Sequence, residues 1–332
     1  MKNWIYIIYI GLISCLLSSC QQSLDDEVPA PTIGKAQITF TIAMDDVNSR
    51  AAWEDNESVG EQGDEKDNQI DLTSADGLQV LLYDTQGNYL AEVTNKAIRK
   101  VSNGVYKFDG DVVINNLTSN VLACRLMVYA NCINSKVTFA YNAEYIPMWG
   151  VKEVTLRLAK GELTELKEPV YLLRSMAKVE VRLDAGIAEE FDLTSVSINR
   201  YNATGYVMPV YETLNDTEGM DEDAVFNPYS SLVETALLFT EGSEDVFYIY
   251  LPEYRNVGEG ATKASMTLMV DGMEYTLEFK DYATDTLFNI VRNHHYRYTI
   301  TSVNTIENIL VTDLLYQSMP WTDVDNGELP FN

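Results

Sequence analysis

The segment Ile38-Thr39-Phe40-Thr41-Ile42-Ala43-Met44 alternates without error. Ile38, Phe40, Ile42 and Met44 share one parity, and Thr39, Thr41 and Ala43 share the other. A period of two places successive side chains on opposite faces, so this segment reads as a half-buried β-strand. The same signature recurs in short runs along the chain, each closed by a turn signal. Leu78-Gln79-Val80-Leu81-Leu82-Tyr83 runs into Asp84-Thr85-Gln86-Gly87-Asn88, and Val105-Tyr106-Lys107-Phe108 runs into Asp109-Gly110. Residues 121–130, 153–158, 175–183, 195–198, 246–251, 264–270, 274–279 and 296–303 extend the series, with Asp271-Gly272 joining two of them as a hairpin. Helical periodicity is scarce, with short candidates at 230–237 and 287–292. Many short strands at regular spacing predict an all-β chain of β-sandwiches. At 332 residues it accommodates two domains of about 150 residues each.

Charge narrows the partners. Lys and Arg number 23 against 50 Asp and Glu, a net charge of −27. Such a chain repels phosphate, which excludes nucleic acid and disfavours an anionic membrane surface. Tyrosine is abundant, 21 against 10 Phe, as suits half-wet strand faces outside the cytoplasm.

The N-terminus reads as an address. Lys2 precedes an apolar run over 4–17, too short for a mature spanning helix and typical of a signal-peptide core. An uncleaved anchor helix is the alternative. The run ends in Leu17-Ser18-Ser19-Cys20, which resembles a bacterial lipobox with Cys20 as the lipidated residue. Leu12-Ile13-Ser14-Cys15 fits the same pattern but leaves a cramped signal. Asp25-Asp26-Glu27 behind Cys20 resembles a surface-export signal of lipoproteins in the Bacteroides group; a solvated tether through Val28-Pro29-Ala30-Pro31 has the same composition. Cys124 and Cys132 lie on one predicted strand, about 26 Å apart if extended. A disulfide needs Cα atoms within about 7 Å, so two buried thiols are expected.

Residues 45–76 hold eleven acidic and two basic residues and no apolar period, which reads as an exposed loop or linker. Catalytic patterns are missing from the sequence. His294 and His295 are adjacent on a predicted strand, so they point to opposite faces and cannot share a metal. The acidic run 216–223 lacks EF-hand spacing. The reading is therefore no enzyme, no cofactor and no metal site.

Several segments together resemble the fimbrillin superfamily, the pilus subunits of Bacteroidales bacteria. They are Asn289-Ile290-Val291-Arg292-Asn293-His294-His295-Tyr296-Arg297-Tyr298-Thr299-Ile300, Met319-Pro320-Trp321 and Arg174-Ser175-Met176-Ala177-Lys178-Val179-Glu180-Val181. Tyr145-Ile146-Pro147-Met148-Trp149-Gly150, Tyr250-Leu251-Pro252-Glu253 and Asn48-Ser49-Arg50-Ala51 are further matches. The resemblance implies two tandem transthyretin-like β-sandwich domains, with a signal peptide at 1–19, a lipidated pro-segment at 20–50 and domains at 51–167 and 168–332. Composition places the break between domains near 165–169. The resemblance further implies an outer-membrane lipoprotein anchored through Cys20 and cut between Arg50 and Ala51 by an Arg-specific protease. The mature form then joins a surface fimbrium with other fimbrial subunits, by exchange of the removed strand.

Arg50 is the first Arg of the chain, at the edge of the acidic segment where a protease needs extended backbone. The strand it would release carries Ile38, Phe40, Ile42 and Met44. At about 1.5–3 kcal/mol each, their loss forfeits roughly 6–12 kcal/mol of gross burial. A replacement strand is then required, and residues 309–324 are apolar enough to supply it. One face carries Leu310, Leu314 and Tyr316; the other carries Val311, Leu315, Met319 and Trp321. Stalk or tip subunit is the leading expectation. An uncleaved anchor lipoprotein and a surface glycan-binding lipoprotein are the alternatives.

Overall fold

The computed structural model describes residues 32–44, 69–74, 77–117, 119–132, 138–158, 162–208, 228, 230–242, 246–282, 284–304 and 309–318; for Thr32, Asn304 and 309–318 only the backbone is described. These residues form strands and no helix. The first ten strands are β1 (Thr32–Met44), β2 (Leu78–Asp84), β3 (Tyr89–Glu92), β4 (Thr94–Ser102), β5 (Val105–Leu117), β6 (Val121–Ala130), β7 (Thr138–Ala140), β8 (Met148–Arg157), β9 (Leu163–Glu165) and β10 (Val170–Arg174). Next come β11 (Ala177–Leu183), β12 (Leu193–Ile198), β13 (Tyr201–Asn202), β14 (Thr204–Tyr206), β15 (Leu232–Val233), β16 (Leu237–Leu238) and β17 (Thr240–Glu241). The last are β18 (Phe247–Leu251), β19 (Ser265–Val270), β20 (Met273–Glu278), β21 (Lys280–Asp281), β22 (Thr286–Leu287), β23 (His294–Asn304) and β24 (Ile309–Ser318).

A nine-stranded sheet runs β3-β2-β6-β8-β10-β1-β5-β4, with β9 also on β1. Its strands feed one core: Ile38, Phe40 and Phe108 from one part, Val80, Leu126 and Val128 from the other. A five-stranded sheet (β17-β18-β11-β23-β24) and a four-stranded sheet (β16-β12-β19-β20) enclose a second core. Val179, Val181, Tyr296 and Tyr298 come from the former; Val196, Leu268 and Leu277 come from the latter. None of the sheets closes into a barrel, and the arrangement is that of β-sandwiches.

The alternation rule holds where turns are sharp. β19 and β20 pair in register through Asp271 (φ 49°) and Gly272 (φ 78°), the left-handed pair a two-residue hairpin demands. The helical readings at 230–237 and 287–292 are wrong. The first gives β15 and β16 and the second gives loop after β22, because segments this short take their conformation from the sheets they touch. The acidic segment is also not wholly solvent-bound at its end. Ile70 is buried in the first core and its N–H donates to Tyr106 Oη at 3.0 Å. β10 and Met176 belong to the first core, the second core begins with Ala177, and Val207 and Tyr250 return to the first. Cys124 and Cys132 are both buried free thiols, and burial pushes Cys124 up to about 12.

Close packing between strands leaves no room at Gly150. A Cβ there would lie 2.2 Å from the Tyr171 carbonyl oxygen, where β8 approaches β10. Gly150→Ala should therefore lower stability by about 1–3 kcal/mol, measured as a shifted denaturant midpoint at unchanged m-value.

Candidate functional site

β1 is first in the described chain but lies inside the sheet. It pairs antiparallel with β5 over nearly its whole length and parallel with β10 and β9 on its other edge. Ile38 faces Gly110, Phe40 faces Phe108 and Ile42 faces Tyr106. The Phe40 and Phe108 rings lie 4.7 Å apart. Ile38, Phe40, Ile42 and Met44 are all buried. Thr39, on the opposite parity, is buried too, and its hydroxyl donates to the Phe108 carbonyl at 3.1 Å. Gly110 is required by this packing, since a Cβ would meet Val93 Cγ1 at 2.4 Å. A gap between β5 and β10 would therefore be lined by Tyr106, Phe108 and Val112, with a recess at Gly110.

β24 is the outer strand of the five-stranded sheet and pairs only with β23 among the described strands. Leu314 stands opposite Tyr298, Tyr316 opposite Tyr296, Leu315 opposite Arg297, Leu310 opposite Val303 and Val311 opposite Ser302. A register shift between Ile300 and Ser302 separates the two halves of this pairing. Met319 and Trp321 lie outside the described residues, as do Cys20, Arg50 and Ala51.

Between these two strands lies a buried polar junction that period-two reading did not find. Arg292 Nη2 donates to Glu253 Oε2 at 2.7 Å, with both side chains essentially sealed from solvent. Arg292 Nη1 donates to the Val207 carbonyl at 3.2 Å, and the Ser175 hydroxyl donates to the same oxygen. Asn293, in the left-handed region at φ 56°, accepts the Arg174 N–H at 3.1 Å and donates its own N–H to the Met176 carbonyl at 2.8 Å. Ser175 N–H donates to the Pro147 carbonyl at 2.8 Å. Segments far apart in sequence, 145–150, 174–181, 250–253 and 289–300, thus meet at one place. β7 of the first core pairs with β14 beside it, and Gly205 there has no room for a Cβ against Phe139 and Pro252.

A second buried charge group lies along β11 and β23. Arg297 Nε donates to Glu180 Oε1 at 2.6 Å, and His295 Nε2 lies 3.1 Å from Glu180 Oε2. Burial alone would raise the Glu180 carboxyl, but the His295 hydrogen bond and the charges of His295, Arg297 and Lys178 hold it at about 2. Burial pushes His295 below its ordinary value, against the pull of Glu180. The imidazole Nε2–H donates to the carboxylate, and Arg297 supplies a charge opposite Glu180. His294 points the other way and stacks on Tyr296, its Nδ1 donating to the Arg292 carbonyl at 2.7 Å. The sequence signal for the Glu180 group was charge on strands that also carry core residues, which alternation alone assigns to solvent, whereas Glu253 and Arg292 lie outside the strands.

Among the described residues, no three of His, Cys, Asp and Glu gather to hold a metal ion. The exposed Tyr89 meets Tyr83 edge-on at 75°, so this pair offers no flat platform of the kind sugar rings stack on.

No protein-family model matches the chain, and no curated protein does. Among solved structures it is similar to a fimbrial assembly protein from Parabacteroides distasonis. That pair is 12% identical with a TM-score of 0.46, over 85% of this chain and 100% of the other. It is also similar to a candidate cell adhesion protein from Bacteroides uniformis, at 10% identity and TM-score 0.47, over 74% of this chain and 92% of the other.

The Glu180 group sets an acid limit. A carboxylate held ionised only in the fold adds stability that is complete above its ordinary 4.5 and is lost as pH falls toward about 2. Protonation of His295, disfavoured in the fold, acts in the same direction below its ordinary 6.5. Glu180→Gln should cost about 3–5 kcal/mol at neutral pH, because the buried Arg297 loses its carboxylate partner. It should also flatten the fall of Tm between pH 4.5 and about 2; an unchanged slope would remove Glu180 as the cause.

Proposed function

We propose that the chain is a structural subunit, stalk or tip, of a surface fimbria that polymerises by strand exchange. The observation that carries this reading is the seat of β1. An N-terminal strand lies in the middle of a sheet, bonded on both edges and buried through Ile38, Phe40, Ile42 and Met44. The chain that follows it leads within a few residues to Arg50. Cleavage there leaves β1 attached by noncovalent contacts alone. Its departure exposes two unpaired sheet edges and an apolar trough, and an incoming strand is the species that satisfies both.

In this reading Cys20 carries the lipid that brings the precursor to the outer membrane, and an Arg-specific protease releases residues 20–50. The domains of this reading, 51–167 and 168–332, meet in the stretch between residue 167 and Ala177, where the second core begins. The incoming strand is β24 of another subunit. Held on one edge only, β24 is cheaper for its own subunit to release than a strand bonded on both edges. The Leu310, Leu314 and Tyr316 face suits the trough, because Asp313 shares the parity of Val311 and Leu315 and would be buried with them. The chain has no catalytic role here. Its partners are other fimbrial subunits.

N-terminal sequencing of the surface form should begin at Ala51, and Arg50→Ala should trap monomers that retain β1. A lipidated Cys20 on the surface form would favour the anchor subunit. Leu314→Asp should abolish polymer while the cleaved monomer stays folded by circular dichroism, whereas Leu315→Asp should polymerise. The reverse pattern would assign docking to the other face.

A further inference from the structure

Two outer strands carry opposite charge. β4 ends the nine-stranded sheet and exposes all its side chains except Ile98, which is half-buried. Its pairing with β5 sets Arg99 directly opposite Lys107. Like charges facing each other across strands are destabilising, and a chain with 50 acidic residues has ample means to avoid the arrangement. Lys107 has Glu165 at 3.9 Å, while Arg99 and Lys100 have no ion-pair partner among the described residues. Lys96 is already engaged, by Glu92 and by the Leu78 carbonyl. The free cations thus gather at one end of β4.

β20 ends the four-stranded sheet. Tyr275 and Leu277 fill the second core, Glu274 and Thr276 are exposed, and Glu278 is half-buried on their side. Glu274 has no ion-pair partner among the described residues. Glu278 lies 3.4 Å from Lys280, which also holds Asp285 at 2.7 Å. β20 pairs with β19 without a bulge, so its outer edge is straight.

We propose that β4 of one copy docks edge to edge on β20 of a second copy, with Glu274 and Glu278, which share one face of β20, neutralising Arg99 and Lys107, which share one face of their sheet. Register shifts at Thr94/Ala97 and Lys100/Ser102 confine the regular part of β4 to Ala97–Lys100. Backbone pairing is therefore short, and charge provides much of the attraction and all of the register. The two edges belong to different cores, so the contact is heterologous and builds a ring or an open row of subunits. It generates side-by-side association that needs neither cleavage nor strand exchange, and it goes beyond the proposed polymerisation.

The test uses the uncleaved Arg50→Ala chain, so a failure of strand exchange has no bearing on it. Analytical ultracentrifugation should show reversible self-association at about 20 mM salt that is lost at about 500 mM. R99E/K107E and E274K/E278K should each raise the half-association concentration by about tenfold while circular dichroism shows a folded chain. The variant carrying both pairs should regain association. A monomeric parent at low salt would overturn the proposal and leave the β4 cations as guards against edge aggregation. Association that survives either single swap, or is not regained by the combined one, would also overturn it.

Discussion

Arg292 carries a charge that the fold removes entirely from water. Desolvating such an ion costs several kcal/mol, recovered only when a counter-charge and further acceptors are held in good geometry. Glu253 supplies the counter-charge and Val207 a carbonyl, and each comes from a loop that must arrive in register. Glu253 is placed in turn by Asn202, whose side-chain amide donates to the Glu253 carbonyl at 2.6 Å. Asn293, next in sequence, then binds backbone on both sides of Ser175, where the chain passes from one core to the other. An error at this junction would displace β10 and β11 together. β10 borders β1, and β11 borders β23, which carries β24. The strand proposed to leave and the strand proposed to replace it are thus tied to one buried ion pair by single steps of sheet pairing.

The seat of β1 has a second consequence. Its partners β5, β9 and β10 are separated from it by some 60 to 140 residues of sequence. Parallel pairing with β10 cannot be made locally, because parallel neighbours need a crossover. The first core is therefore completed late, by long-range contacts that are slow to form. A strand so placed is strongly held in the finished sheet through its two edges. In the proposed mechanism it leaves only after the link behind it is cut, a trigger that is chemical rather than thermal.

Much of this was legible in the alternation. β1 and the hairpin at Asp271-Gly272 follow from side-chain parity and turn chemistry at those residues. The pairing partners did not follow, since parity states which face is apolar but not which strand lies alongside. Glu180 and Arg297 show where the rule fails. Both stand on the parity that period two sends to water, yet both are buried, and each is tolerated because the other is there. The segment 287–292 failed differently. Its spacing mimicked a helical turn, but Asn289 serves as acceptor for the Asn256 and Val257 N–H groups at 2.9 Å, and Arg292 turns inward. Those partners are more than thirty residues away, beyond any local window.

The described residues contain no disulfide, and burial raises Cys124 to about 12, far from thiolate chemistry. A chain proposed to work outside the cell must then hold its loops by other means. Asparagine does much of this. Asn131 donates to the Gln69 and Ile146 carbonyls and accepts the Asp71 N–H, tying two segments to the end of β6. Asn256 reaches the Phe279 and Phe288 carbonyls and accepts from Ala264. An amide offers two donors and an acceptor with no charge to desolvate, so it can replace missing backbone partners inside a loop at lower cost than a carboxylate or an ammonium group. Charge is reserved for the junction and for the β11–β23 face, where several partners converge on each ion. The division follows from burial: Lys152, less deeply buried, keeps one partner in Glu168, whereas the charges sealed deepest, Arg292 and Glu180, are compensated from more than one direction.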